Sequence, residues 1–151
     1  MQTQLFIGFP LVCLLLAAVV TDLRSRMIYD WITVPGLVYF LGVHAVLQDL
    51  PPLEPAAGCF GLGALSLFLA VLSRGKLGGG DIKLFAMLGA CLGWSAGVWV
   101  FMLTFVLAAS LAWPLLIVRK LFPGRKKLAG ELPLAPFIAA STAFFLYLIE
   151  D

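Results

Sequence analysis

The sequence predicts an all-α membrane protein with six transmembrane helices. Hydrophobic residues make up 62% of the 151-residue chain, and charged residues make up 12%. The mean hydropathy of +1.07 is well above that of soluble domains, so the bilayer is the expected solvent. The apolar runs are continuous and lack the alternation of strands, and open sheet edges would be left unpaired in lipid.

Six apolar runs are the predicted spans, since a hydrocarbon core of about 30 Å needs roughly 20 apolar residues per helix. Short loops separate the runs, which leaves room for one polytopic domain covering residues 1–151 and for no second soluble domain. The runs are Leu5–Val20, Ile32–Leu47, Ala56–Leu72, Ile82–Gly97, Val98–Val118 and Leu132–Ile149.

The basic residues predict how these spans are oriented. All ten lie in or beside the first, third and fifth loops, whereas the second loop, the fourth turn and the C-terminus carry none. By the positive-inside rule, the three basic loops are cytoplasmic and both chain termini are extracytoplasmic. The ten residues are Arg24, Arg26, Arg74, Lys76, Lys83, Arg119, Lys120, Arg125, Lys126 and Lys127.

The fourth run allows two interpretations. It is short and carries Gly89, Gly93 and Gly97 at four-residue spacing, so a re-entrant hairpin that does not cross the bilayer is one of them. Such a hairpin would put the strongly basic fifth loop outside. The orientation rule therefore favours a true span that ends in a turn near Gly97, with the glycines letting neighbouring helices approach closely.

The composition argues against several classes of function. The net charge of +2 is small, and its basic residues are divided among loops, which is not the pattern of a nucleic-acid surface. Cys13, Cys59 and Cys91 fall inside apolar runs without CxxC spacing, so we expect buried thiols rather than disulfides or a zinc site. The only histidine, His44, lies near the predicted outer end of span two and is expected to be structural. We expect no metal and no cofactor.

Two aspartates stand at the ends of predicted spans. Asp22 ends the first span and Asp81 begins the fourth, both on the predicted cytoplasmic side. If the two helices are neighbours, the carboxylates would share a proton and could perform acid–base chemistry on a peptide bond, as in an aspartic protease. The alternative is structural: Asp81 would favour a helix N-terminus, and Asp22 would pair with Arg26 four residues on. The spacing alone leaves both open.

Three glycines, Gly78, Gly79 and Gly80, immediately precede Asp81. Without side chains, they would let a peptide backbone approach the carboxylate closely. A flexible turn or a phosphate-binding loop is the alternative. The sequence argues against a phosphate-binding loop, because no Gly-Lys-Ser/Thr follows the glycines and no strand precedes them.

These motifs resemble those of a known family. The stretch Gly78-x-Gly80-Asp81-x-Lys83-Leu84 is similar to the GxGD signature of the type IV prepilin peptidases, which are polytopic aspartic proteases. The segment that begins at Asp22 resembles the other aspartate motif of that family. After five residues it continues as Ile28-Tyr29-Asp30-Trp31-Ile32-Thr33. Leu132-Pro133-Leu134-Ala135-Pro136-Phe137 resembles its Pro-Phe-Gly-Pro stretch. Tyr29 and Leu134-Ala135 depart from the family pattern, but neither departure falls on an aspartate.

The resemblance implies a GxGD aspartic-protease architecture in which Asp22 and Asp81 are the catalytic pair. The implied reaction is removal of a basic leader from a prepilin or pseudopilin substrate at the cytoplasmic face of the inner membrane. The sequence begins without the N-terminal extension and paired-cysteine loop of the longer, bifunctional members, so the expected analogy is with short, peptidase-only members. We expect membrane lipid to contact the basic fifth loop.

Further residues are expected near the substrate because they lie in these motifs. Lys83 stands two residues after Asp81, so on one helix the two side chains diverge, and a loop or headgroup contact is its other expected role. Asp30 or Glu131 would contact the basic leader. The residues expected to bind substrate are Gly78, Gly79, Gly80, Asp30, Lys83, Pro133 and Pro136.

Two other functions fit a small polytopic protein with boundary carboxylates. One is a proton- or cation-coupled transporter, in which Asp22 and Asp81 would bind the ion. Such transporters often have inverted repeats, and none is visible in the sequence. The other is a non-catalytic subunit of a pilus or secretion assembly, which would need no particular side chain at either aspartate.

Overall fold

The computed structural model describes residues 2–47, 50–51, 53–75, 77–121 and 133–150, and all regular structure in these ranges is helical. The first four helices are long and apolar enough to cross a membrane, and the fifth is a shorter apolar helix. The predicted all-α, membrane-spanning class is therefore confirmed. The helices are α1 (Gln2–Ser25), α2 (Asp30–Leu47), α3 (Leu53–Leu72), α4 (Gly79–Leu121) and α5 (Ala135–Glu150).

Helix α4 reverses direction at Gly93, whose backbone angles are φ 80° and ψ 179°. A Cβ built on Gly97 would lie 3.6 Å from the Cα of Gly89. Eight residues of straight helix would separate these positions by about 12 Å. Two antiparallel arms therefore meet at Gly93, a first arm (residues 79–92) and a second arm (residues 94–121).

The aromatic packing between the two arms confirms this reversal and corrects one prediction. The ring centroids of Phe85 and Phe101 are 4.8 Å apart, whereas 16 residues of straight helix would span about 24 Å. The predicted turn near Gly97 is therefore wrong, because the chain turns at Gly93. Of Gly89, Gly93 and Gly97, only Gly93 takes backbone angles that are essentially restricted to glycine, and their equal spacing in the sequence does not distinguish it.

Two side chains from other helices pair the backbone groups that the break in α4 leaves without partners. His44 Nε2 donates to the carbonyl oxygen of Cys91 at 2.8 Å, near the end of the first arm. The Glu54 carboxylate accepts from the backbone N–H of Trp94 at 2.9 Å and from that of Ser95 at 3.5 Å, at the start of the second arm. These bonds replace the helical ones that a turn removes. The expected structural role of His44 is thus confirmed.

The first arm of α4 lies in the core of the bundle. Its inward side chains are almost completely buried, and its backbone touches that of α3 where Gly58 meets Gly89. This contact confirms the predicted use of a glycine for close helix approach. Large apolar side chains such as Phe9, Phe60 and Val106 point outward and are exposed, as in a protein whose outer surface meets lipid. The buried residues of the arm include Leu84, Phe85, Met87, Leu88, Ala90 and Cys91.

The helix ends divide between two ends of the bundle. Contacts bring together the end of α1, the starts of α2 and α5, and the segment that leads into α4. His44, Glu54 and the turn at Gly93 lie together at the opposite end. The predicted placement of Asp22 and Asp81 at one end of the bundle is consistent with this arrangement.

Candidate active site

A cavity of about 280 Å³ opens at the end of the bundle where the two aspartates lie. Its walls come from the end of α1, the loop that follows it and the glycine segment that leads into α4. Asp22 and Asp81 are therefore neighbours in space although they are far apart in the chain. The lining residues are Asp22, Arg26, Met27, Ile28, Gly78, Gly79, Gly80 and Asp81.

Asp22 is buried in the last turns of α1, with 7% of its surface exposed. Its Oδ2 accepts a hydrogen bond of 3.0 Å from the backbone N–H of Ala135, the first residue of α5. The first N–H groups of a helix have no partner within the helix, and the positive end of the helix dipole favours an anion. The N-terminus of α5 therefore compensates the burial of the Asp22 carboxylate.

Asp81 lies in the first turn of α4 and is only partly buried. Its Oδ2 accepts from the backbone N–H of Gly78 at 3.2 Å, and its own N–H donates to the Gly78 carbonyl at 3.1 Å. The bond from the Gly78 N–H to the Asp81 side chain is one half of a capping box, and the backbone bond closes the first turn of the helix. The helix-end role considered for Asp81 is thus real. It orients the carboxylate at the edge of the cavity.

The two carboxylates lie close enough for their charges to act on each other. Two neighbouring carboxylates oppose each other's ionisation, which favours retention of one proton between them. Among the described residues that line the cavity, Arg26 is the one with a cationic side chain. Its backbone takes a left-handed conformation with φ 51°, and its N–H bonds to the carbonyl of Asp22 at 2.9 Å, which ends α1.

The three glycines before Asp81 have different surroundings. A Cβ on Gly80 would lie 2.7 Å from Cβ of Ile28, so the loop after α1 packs directly against it. A Cβ on Gly78 would lie 3.2 Å from Oδ2 of Asp81, whereas one on Gly79 would meet nothing within 4 Å. Of the three, Gly79 therefore has open space where a side chain would stand.

An ion pair links the two motifs on the outside of the cavity. Lys83 Nζ lies 2.6 Å from Asp30 Oδ1, and the two side chains are 48% and 65% exposed. Asp30 is the first residue of α2, and Lys83 lies in the first arm of α4. Neither residue lines the cavity.

A family comparison covers the part of the chain that forms this cavity. Residues 9–113 match the type IV leader peptidase family. That is more than half of the chain, and it includes both aspartates. The chain belongs to the type IV leader peptidase family. The expected membership is thus confirmed.

Relatives in this family extend the match over almost all of the chain. A prepilin leader peptidase/N-methyltransferase of Bacillus subtilis (strain 168) is 34% identical over 152 residues, which cover 98% of this chain and 57% of that protein. Two Burkholderia pseudomallei proteins with the same description, from strains 1026b and K96243, are each 34% identical over 147 residues, covering 93% of this chain and 45% of theirs. The chain thus spans about half the length of the curated relatives it matches. No solved structure shows a significant match.

Some predicted site residues of this family member lie outside the cavity wall. Pro133 directly precedes Leu134, and Pro136 is the second residue of α5. The site is touched by Ala135, which lies between the two prolines and which the sequence did not single out. A donor that belongs to the backbone leaves no side-chain signature. Only the prediction of a helix start beside Asp22 could have found it. Glu131 lies outside the described residues.

The remaining predictions concern possible ligands and the cysteines. In the described ranges, no group of three His, Cys, Asp or Glu side chains is arranged to hold a metal ion. All three cysteines are free thiols. Cys59 and Cys91 are buried as predicted, but Cys13 is exposed, because it lies on the outward face of α1.

Proposed function

We propose that this chain is a membrane aspartic endopeptidase that cleaves the leader peptide from type IV prepilin-like proteins. The observation that carries the proposal is that Asp22 and Asp81, 59 positions apart, line one cavity. Family membership supports peptidase activity. The descriptions of the relatives supply the class of substrate, a prepilin.

The proposed reaction uses the two carboxylates and one water molecule. The ionised carboxylate takes a proton from the water as its oxygen attacks the carbonyl carbon of the scissile bond, while the protonated carboxyl group donates a hydrogen bond to the carbonyl oxygen. The tetrahedral intermediate then collapses as the C–N bond breaks, and the leaving nitrogen takes the proton that the first carboxylate had accepted from water. A cavity of about 280 Å³ has room for water and a short piece of peptide.

Backbone groups of this chain would hold the two carboxylates in place. The N–H of Ala135 orients Asp22, and the N–H of Gly78 orients Asp81. Each contact uses a group at or beside a helix N-terminus, so the orientation depends on rigid elements rather than on a flexible side chain.

The substrate peptide would pass over Gly79, which lines the cavity and where an added Cβ would meet no atom within 4 Å. Gly78 and Gly80 line the same wall. None of Asp30, Lys83, Pro133 and Pro136 lines the cavity, and Pro133 and Pro136 are the proposed outer contacts for the leader.

We further propose that the protein crosses the membrane six times, with the cavity at the cytoplasmic face of the inner membrane and both termini on the other side. Counting the two arms of α4 separately gives six helical segments in the described part of the chain, which supports this topology. Arg24, Arg26 and Arg74 lie near the cavity end, as the positive-inside rule requires for that face. The first arm is only about 21 Å long against a hydrocarbon core of about 30 Å, so Asp81 would lie below the headgroups, where a water-filled cavity is needed.

The proposal is tested by reconstituting the purified chain in lipid vesicles with a prepilin and following the substrate by mass spectrometry. The expected product is the mature pilin, cut at one bond between its basic leader and its apolar segment. A prepilin that stays intact over hours, together with aspartate-dependent proton flux into the vesicles, would instead support the transporter. An intact prepilin without flux would support the assembly subunit.

A further inference from the structure

We propose that Asp30 and Lys83 form a positioning ion pair that holds the loop after Asp22 against the helix turn that carries Asp81. The inference rests on the proposed function and names two residues that would act through the catalytic pair rather than on the substrate. It differs from the direct role in leader binding expected from the sequence.

The positions of the two charges in the chain explain why their contact would align the aspartates. Asp30 follows Asp22 after one short loop, and Lys83 follows Asp81 by two positions. Side chains at i and i+2 of a helix point in different directions. Lys83 therefore reaches across to α2, where its Nζ lies 2.6 Å from Asp30 Oδ1, while Asp81 faces the cavity.

A steric contact beside the ion pair limits the movement of the same loop. Ile28 is buried, with 9% of its surface exposed, and its backbone and Cβ lie directly over Gly80. Asp81 thus stands between two contacts, one of Gly80 with Ile28 in the loop and one of Lys83 with Asp30 at the start of α2, where the loop ends. The contact of Ile28 with Gly80 limits how closely the loop approaches α4. The ion pair of Asp30 with Lys83 resists movement of the loop away from α4 or along it.

The exposure of the ion pair predicts which property its loss will change, the rate of cleavage or the stability of the fold. An exposed ion pair contributes little to folding stability, because water and salt screen it. Catalysis is more sensitive, since a misplacement of about 1 Å can lower a rate by about 100-fold. Loss of the pair should therefore reduce the rate of cleavage while the thermal stability of the protein changes little.

Charge reversal tests the pair in the processing assay. Asp30→Asn and Lys83→Met should each lower the initial rate about tenfold or more. The double variant Asp30→Lys with Lys83→Asp should recover most of the wild-type rate. Arg74→Asn is the matched control, because it removes an exposed cation from the loop before the glycines and asparagine tolerates the left-handed conformation of Arg74, φ 56°. The control should cleave at the wild-type rate.

A distance measurement separates failure of this inference from failure of the proposed function. Spin labels at Met27→Cys and Gly79→Cys, in a Cys13→Ala background, report the separation of the two loops in lipid nanodiscs without any substrate. The distance distribution should be narrow in the parent, broad in Asp30→Asn and Lys83→Met, and narrow again in the charge-reversed protein. The positioning role would be overturned if the single variants left the distance distribution unchanged. It would also be overturned if the charge-reversed protein cleaved as slowly, and had as broad a distribution, as the single variants. Absence of cleavage by the parent would overturn the proposed function alone, since the distances would still test the pair.

Discussion

Ala135 donates its backbone N–H to the buried carboxylate of Asp22 at 3.0 Å, and so connects the first residue of α5 to the end of α1 across 113 positions of the chain. The contact gives the segment between Pro133 and Pro136 a physical role at the site. It presents the N-terminus of a helix to a carboxylate that is 7% exposed.

The first prediction removes this donor by a single change. Ala135→Pro deletes the N–H at the first position of a helix, where proline fits the backbone. A hydrogen bond to a charged group contributes about 1.5–3 kcal/mol, so prepilin processing should slow by about 10- to 100-fold. Ala135→Val adds comparable bulk at the same buried position but keeps the N–H, and it should stay much closer to the wild-type rate. Equal rates for the proline and valine variants would show that the bond is unimportant.

The second prediction compares two neighbouring glycines. In Gly80→Ala the new methyl group would lie 2.7 Å from Cβ of Ile28 and 3.1 Å from its carbonyl oxygen. The overpacking should destabilise the fold by about 1–3 kcal/mol and reduce processing, because the loop after Asp22 must move. Gly79→Ala meets no atom within 4 Å and should unfold at or above the wild-type temperature. Thermal unfolding of both purified variants in detergent is the measurement. A Gly80→Ala protein as stable as Gly79→Ala would contradict the packing described for Ile28.

The third prediction concerns the turn in α4. Gly93 takes φ 80° and ψ 179°, a combination that costs other residues about 1–3 kcal/mol. Gly93→Ala should therefore lower the free energy of unfolding by about that amount. Gly42→Ala is the control, since Gly42 is helical and has open space around it, and its unfolding should be unchanged or slightly later. If both variants unfold together, the chain does not turn at Gly93.

The fourth prediction concerns membrane orientation. A reporter fused after Asp151 should be active on the extracytoplasmic side, because six crossings return the chain to the side of its N-terminus. A reporter inserted after Arg74, at the cavity end, should be active in the cytoplasm. Cytoplasmic activity of the Asp151 fusion would rule out the six-crossing topology.

Much of this fold could be predicted from the sequence, because long apolar runs and basic loops follow from the physics of the bilayer. Asp22 and Asp81 were expected at one end of the bundle for that reason. The position of the turn could not be predicted, because nothing in the sequence distinguishes Gly89, Gly93 and Gly97. In the fold, Gly89 contacts Gly58 and the chain reverses at Gly93.

The parts of the site that the sequence did not predict are contacts distant in the chain. Ala135 has no side-chain functional group, so its hydrogen bond to Asp22 depends on where α5 begins in space. The glycine run indicated close approach by a backbone, but Ile28 of the same chain packs against Gly80, and open space is left beside Gly79. Pairing of Lys83 with Asp30 likewise requires that α2 and α4 be neighbours.

The central claim is that Asp22 and Asp81 together cleave a peptide bond. Its most direct test is processing of a co-expressed prepilin by Asp22→Asn and by Asp81→Asn, with equal amounts of folded protein verified in the membrane. Asparagine keeps the size of the side chain but can neither accept the proton of water as a carboxylate does nor donate as a carboxylic acid. The wild-type protein should shorten the prepilin, and each single variant should leave it at full length. Continued processing by either variant would contradict the two-aspartate mechanism.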